Sequence, residues 1–196
     1  MTDDDAQRAA RTRARILDGF ARAERALFTR PAPKSARAQM KFLRTREKGS
    51  TQSLAQRLGV SRKTVQRYLS GTSTKPNKHL RENLIQETES EWQPQVRARA
   101  RQRAASSGGL VISCRACFGF GLEGTSDAGR VRDISVAVSA SHAAVILAAQ
   151  EEGATESDLH EAVVEAIADA YFRREGGGRA GLAVKFTGVE WSNIAF

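Results

Sequence analysis

The chain has little cysteine, proline or aromatic character and no long apolar run. With 196 residues, 40% hydrophobic and 6% aromatic, it can build modest cores in one large domain or two small ones. Nothing approaches the ~18 consecutive apolar residues that a membrane span needs. The opening MTDDDAQRAARTRAR has no apolar stretch behind its charges, so no secretory signal is read there and a cytosolic protein is expected. The two cysteines, Cys114 and Cys117, form a CxxC inside VISCRACFGF, which alternates like a strand. Residues three apart on a strand face opposite ways, there is no second CxxC, and His79, His142 and His160 are scattered. Buried thiols therefore fit better than a zinc or redox site. No internal repeat, Gly-rich phosphate loop, nuclease-like carboxylate pair or Ser-His-Asp arrangement is legible, so nothing in the sequence argues for a self-contained enzyme.

Charge is abundant and unevenly spread. Residues 1–108 hold 24 Lys and Arg against 10 Asp and Glu, a balance of +14, whereas residues 109–196 hold 7 against 12, a balance of −5. A basic half joined to an acidic one implies that the first meets a polyanion, nucleic acid before a membrane surface, and that the second does something else.

Periodicity divides the chain further. Ile16, Leu17, Phe20, Ala23 and Leu27 recur at helical spacing, predicting an amphipathic helix over 6–28 with arginines on its other faces. Two prolines in TRPAPKS break it, and Ser35 is placed to cap a helix over 36–47 that buries Met40 and Leu43. Trp92 and Pro94 mark a junction, an Arg-rich helix spans 94–106, and ASSGG (105–109) is the best boundary. Strands over 110–120 and 132–139, helices over 141–151 and 155–173 and a last strand region over 181–195 follow. Thr155 and Asp158 have the spacing of a capping box. The fold class expected is α+β: an N-terminal all-helical part, then a small α+β domain with a mainly antiparallel sheet and two helices. The domains expected are a basic helix over 1–30, a helix-turn-helix domain over 31–92, a connecting helix and linker over 93–108, and the α+β domain over 109–196.

The stretch GSTQSLAQRLGVSRKTVQRYLSG (49–71) has the form of a helix-turn-helix. A short helix with Leu54, Ala55 and Leu58 ends at Gly59, Ser61 caps the next, and Val65 and Leu69 turn inward. In this motif the second helix enters the major groove with its N-terminal residues toward base edges. Arg62, Lys63, Thr64, Gln66, Arg67 and Tyr68 are expected to face outward. Arg suits guanine and Gln suits adenine, while Ser61 and Tyr68 are assigned to phosphates. Lys75, Lys78, Arg97, Arg99, Arg101 and Arg103 are expected to add sequence-independent phosphate contacts, which makes affinity steeply salt-dependent.

Beyond this motif the chain resembles the terminal proteins of linear actinomycete replicons, the telomere-capping family of Streptomyces chromosomes and linear plasmids. FTRPAPKSARAQMKFL (28–43), AQRLGVSRKTVQRYL (55–69), EWQPQVRARARQRAASSGGLVI (91–112) and RACFGFGLEGTSDAGRVRDISVAV (115–138) carry the resemblance. AAQEEGATESDLHEAVVEA and AYFRREG complete it, in order, over roughly 20–196, while the Arg-rich start at 6–25 departs from the family's shorter one.

The resemblance implies protein-primed DNA synthesis. A side-chain hydroxyl stands in for a primer 3′-OH, attacks the α-phosphate of a deoxynucleotide and releases pyrophosphate, leaving the protein on the 5′ end. By that resemblance the protein is a primer consumed once and not an enzyme, and it binds no cofactor itself. Mg2+ and the nucleotide, deoxycytidylate (from dCTP) by the family pattern, come through a DNA polymerase. The implied partners are telomeric DNA with a 3′ overhang, a telomere-associated recruiting protein and the polymerase, with self-association through the long helices as a further option and no membrane.

The hydroxyl falls in GLEGTSDAGR (121–130), where Thr125 and Ser126 lie between Gly124 and Gly129 and between Glu123 and Asp127. Flanking glycines permit reach into a polymerase cleft. The family's context is Gly-Thr-Thr-Asp. Its second threonine corresponds to Ser126, the first choice for the attachment residue, with Thr125 the second. Read without the resemblance, Gly-Thr-Ser-Asp is an ordinary turn, and the chain is then a helix-turn-helix regulator of transcription or plasmid replication with residues 109–196 as its dimerisation domain. A nuclease or recombinase subunit is a third, weaker reading.

Overall fold

The computed structural model describes residues 16–121, 130–173 and 183–196. They form helix α1 (16–26), then α2 (Ala36–Arg46), α3 (Thr51–Leu58), α4 (Arg62–Ser70), α5 (Lys78–Glu91) and α6 (Pro94–Arg103). Strands β1 (Leu110–Gly121) and β2 (Arg130–Val138), helices α7 (Ala140–Glu151) and α8 (Glu156–Ile167), and strand β3 (Ala183–Ala195) complete the chain. The architecture is α+β, as the periodicities predict. Two compact units emerge: one from residues 28–96, the other from the flanking 1–27 and 97–196. Among the described residues no helix is long and apolar enough to cross a membrane.

The unit of residues 28–96 is built by local signals. Ser35, Ser50, Ser61 and Asn77 each sit in extended backbone and accept the amide three residues on, at 3.3, 3.1, 3.1 and 2.8 Å. Such caps satisfy amides that a helix leaves open at its start. Met40, Leu43, Leu54, Leu58, Val65 and Leu84 are fully buried together. Arg57 ties the helices from outside the core, pairing with Glu47 at 3.0 Å, Glu87 at 2.6 Å and Glu91 at 3.1 Å. Burial opposes its charge, but the three carboxylates outweigh this and raise its pKa further. The unit's two ends are clasped: the Thr29 amide donates to Gln93 Oε1 at 3.0 Å, and Trp92 Nε1 donates to the Arg30 carbonyl at 3.1 Å. That clasp gives the Trp-Gln pair of EWQPQ a structural task.

The other unit is a three-stranded antiparallel sheet, order β2-β1-β3, with helices on one face. β1 pairs β2 from Leu110↔Val138 to Phe118↔Arg130, and pairs β3 across an irregularity between Arg115 and Cys117. Leu110, Ile112, Cys114, Ala116 and Phe118 alternate inward, packing with Ile146, Leu159 and Ile167. On the opposite face Ser113 bonds Ser135 at 2.9 Å and Arg115 pairs with Asp133 at 3.0 Å. Gly109, at φ +68°, is obligatory: a Cβ there would lie 2.0 Å from the Val138 carbonyl oxygen.

Of the amphipathic helix expected over 6–28, residues 16–26 are described, and they pack into this sheet unit. Ile16, Phe20 and Ala23 join the core of β1 and α8. Arg22 donates to the Ser192 carbonyl at 2.6 Å. The Ile16 and Leu17 amides donate to the two carboxylate oxygens of Glu156, at 2.8 and 3.0 Å, so a side chain from α8 anchors the first described residues of α1. Cys114 is buried and Cys117 half-buried, both free, and burial, assisted by Asp133, pushes the Cys114 thiol up to about 11.

Candidate nucleic-acid interface

The α3–α4 pair owes its bend to two residues, Gly59 and Ser61. Gly59 adopts φ +65° at the end of α3, where a left-handed residue costs glycine nothing, and Ser61 restarts the helix two residues later. The Ser61 hydroxyl takes the Thr64 amide at 3.1 Å and meets the Thr64 hydroxyl at 2.9 Å. Both groups, assigned above to DNA, therefore work in the cap.

Beyond the cap, α4 divides cleanly. Val65 and Tyr68 are buried, whereas Arg62, Lys63, Gln66, Arg67 and Ser70 are exposed. Steps of one, three, one and three residues along α4 gather these five on one face. Three cations and an amide make that face a polar reading surface of the kind the major groove accepts. Arg62 is held at its base: its Nε donates to Thr51 Oγ1 on α3 at 3.0 Å. Thr51 was not among the expected residues, and neither was Arg37. Arg37 Nε on α2 donates to the Leu69 carbonyl at 3.0 Å, at the end of α4. No local sequence signal marks either contact, because each depends on two helices crossing.

Tyr68 departs from its expected outward position. It is 7% exposed, and its hydroxyl donates to the Lys75 carbonyl at 3.1 Å. The residue lies three positions after Val65 on the same helical stripe, so its ring completes the core while its hydroxyl anchors the segment after α4. Lys75 and Lys78 are exposed.

The Arg-rich α6 also splits by face. Arg99 and Arg103 are exposed and four residues apart. Arg97 and Arg101 are only 19% and 17% exposed and both pair with Glu24 of α1, Arg97 at 3.3 Å. Arg101 also donates to Gln150 at 2.8 Å. These two arginines, expected as free phosphate contacts, hold α1 to the sheet unit.

Thr125 and Ser126 lie outside the described residues, in the connection that joins β1 to β2. Among the described residues no cluster of three or more His, Cys, Asp or Glu is placed to hold a metal ion.

A helix-turn-helix domain model covers residues 36–71, which takes in α2, α3 and α4, and such a domain points to DNA binding. No curated protein and no solved structure matches the chain.

Proposed function

We propose that the protein binds DNA through α4 and primes end-patching DNA synthesis on a linear replicon, with Ser126, or failing that Thr125, as the acceptor hydroxyl. The exposed row of Arg62, Lys63, Gln66 and Arg67 on the second helix of a helix-turn-helix carries the DNA-binding part. In that reading the row lies in the major groove, and Lys75, Lys78, Arg99 and Arg103 add phosphate contacts that are lost as salt rises. The priming part rests on the ordered resemblance over roughly 20–196 to terminal proteins of linear actinomycete replicons.

In the priming step, the hydroxyl oxygen bonds to the α-phosphorus of a deoxynucleoside triphosphate, dCTP by the family pattern. The bond to the β-phosphate bridge breaks, pyrophosphate leaves, and the hydroxyl proton passes to the polymerase site or solvent. Mg2+ held by the polymerase polarises both oxygens, so the chain needs no base of its own. Each hydroxyl is used once, and the protein remains on the 5′ end. A telomere-associated partner would bring it to the 3′ overhang.

The helix-turn-helix match favours a second reading, a site-specific regulator dimerised through the α+β unit. One experiment separates them. Wild type, Ser126→Ala, Thr125→Ala and the double variant are incubated with host extract, overhang DNA, Mg2+ and α-labelled deoxynucleotides. A label that survives boiling in detergent and disappears with Ser126→Ala is the expected outcome. Loss only in Thr125→Ala moves the acceptor. No label on wild type, in an extract that labels a known primer, leaves the regulator.

A further inference from the structure

Away from the helix-turn-helix, the turn from β2 into α7 assembles a constellation invisible in the sequence. Ser139, between the last residue of β2 and the first of α7, has its hydroxyl 3.0 Å from His142 Nδ1. His142 Nε2 is 3.1 Å from Asp169 Oδ2, and Arg173 binds Asp169 Oδ1, fixing the carboxylate. Asp169 sits in the π-helical turn that continues α8, a deviation often found at functional sites. Ser139, His142 and Asp169 border a cavity of about 380 Å³ whose other walls, among the described residues, are Ala137, Val138 and Ala170.

We infer that Ser139, His142 and Asp169 form a nucleophilic serine site that accepts acyl groups from small carboxylic esters. A hydroxyl, an imidazole and a carboxylate in hydrogen-bonded series are the parts such a site requires. Capping explains part of the arrangement, since Ser139 Oγ also accepts the His142 amide at 3.4 Å. It does not explain a carboxylate from another helix on the far ring nitrogen, nor a small apolar-walled cavity beside the hydroxyl.

With the ring proton on Nε2 facing Asp169, Nδ1 is the acceptor for the serine proton. Ser139 Oγ bonds to the ester carbonyl carbon, and its proton moves to Nδ1. The tetrahedral oxyanion forms beside the start of α7, whose first amides, of Ala140 and Ser141, have no carbonyl within the helix to bond. The C–O bond to the alcohol breaks, the alcohol leaves with the proton from Nδ1, and water later releases the acid by the reverse path. The small walls and the volume suit a short acyl chain. The ring nitrogens serve in the opposite sense to those of serine proteases, which preserves the proton path. This site is independent of the DNA-binding and priming readings, because Ser139 belongs to neither.

The test uses the full chain, a fluorophosphonate probe and p-nitrophenyl butyrate. The probe reacts by attack of Oγ on phosphorus with loss of fluoride, so mass spectrometry locates the adduct. Ser139→Ala removes a cap, so Ser139→Asn, which keeps a capping acceptor without a nucleophile, is the main variant. The expected result is an adduct on Ser139 and ester hydrolysis in wild type, with both absent in Ser139→Asn. In His142→Gln both rates should fall by about a hundredfold, with a smaller fall in Asp169→Asn and melting temperatures close to wild type. The inference is overturned by an unmodified Ser139 in wild type, by equal labelling of His142→Gln, or by ester hydrolysis that persists in Ser139→Asn.

Discussion

The two units of this chain are held together in different ways. The helix-turn-helix unit is contiguous, and its helices start at serine or asparagine caps that bond amides three residues away. The sheet unit draws on distant parts of the sequence: amides of α1 donate to a carboxylate 140 residues distant, and Arg22 donates to a carbonyl 170 residues distant. Local caps make the helix starts of the first unit readable in short windows of sequence. Distant closure makes the second dependent on side chains that no window contains together.

The strongest way to break this contrast is Phe20→Ala. Phe20 is fully buried among sheet-unit residues, and its truncation is expected to cost about 3–5 kcal/mol. Calorimetry should show a sheet-unit transition moved sharply down while the helix-turn-helix transition stays in place. A single transition moving as a whole would mean that the units do not melt separately. Glu156→Ala makes the same point more gently. Removing the acceptor of two amides should cost about 1–3 kcal/mol, again confined to the sheet unit.

Within the helix-turn-helix unit, a paired measurement sharpens the division of α4. Arg67→Ala should weaken binding to a selected duplex by about 1–3 kcal/mol, with a shallower salt slope and an unchanged melting temperature. Tyr68→Phe should do the reverse, losing about 1 kcal/mol of stability and leaving DNA affinity intact. Fluorescence anisotropy and thermal melts on both variants check the assignment, and equal affinity losses would return Tyr68 to the DNA face.

The smallest effect concerns the capping box at the start of α8. Thr155 hydrogen bonds hold the Asp158 carboxyl below the usual aspartate range. A depressed folded pKa means that the contribution is present above the unfolded value and lost as pH falls through the lower, folded one. Asp158→Asn should therefore flatten the acid side of the stability curve slightly, and melts at pH 2–5 read the difference.

How much of this was legible follows from the same contrast. Ser35, Ser61 and Gly59, the alternation of β1 and the Thr155–Asp158 box could be placed from sequence because each depends on neighbours three residues or fewer away. Tyr68 reads as outward in the sequence although it shares a stripe with Val65, because a tyrosine beside arginines resembles a phosphate ligand until its hydroxyl has another partner. Arg97 and Arg101 looked like the rest of a basic helix, and only the return of Glu24 distinguishes them from Arg99 and Arg103. The Ser139–His142–Asp169 series is not legible in the sequence, because its aspartate comes from another helix.

The partnership of α1 with β3 has a consequence for biosynthesis. Ribosomes add about 5–20 residues per second, so the helix bearing Arg22 leaves the tunnel roughly 10–30 s before the strand containing Ser192, 170 positions later. During that interval the apolar side of α1, with Phe20 at its centre, lacks β3, while residues 28–96 already hold the side chains of their own core. The helix-turn-helix unit can thus close before α1 meets its last strand, and that partly uncovered helix is where a chaperone would be expected to bind.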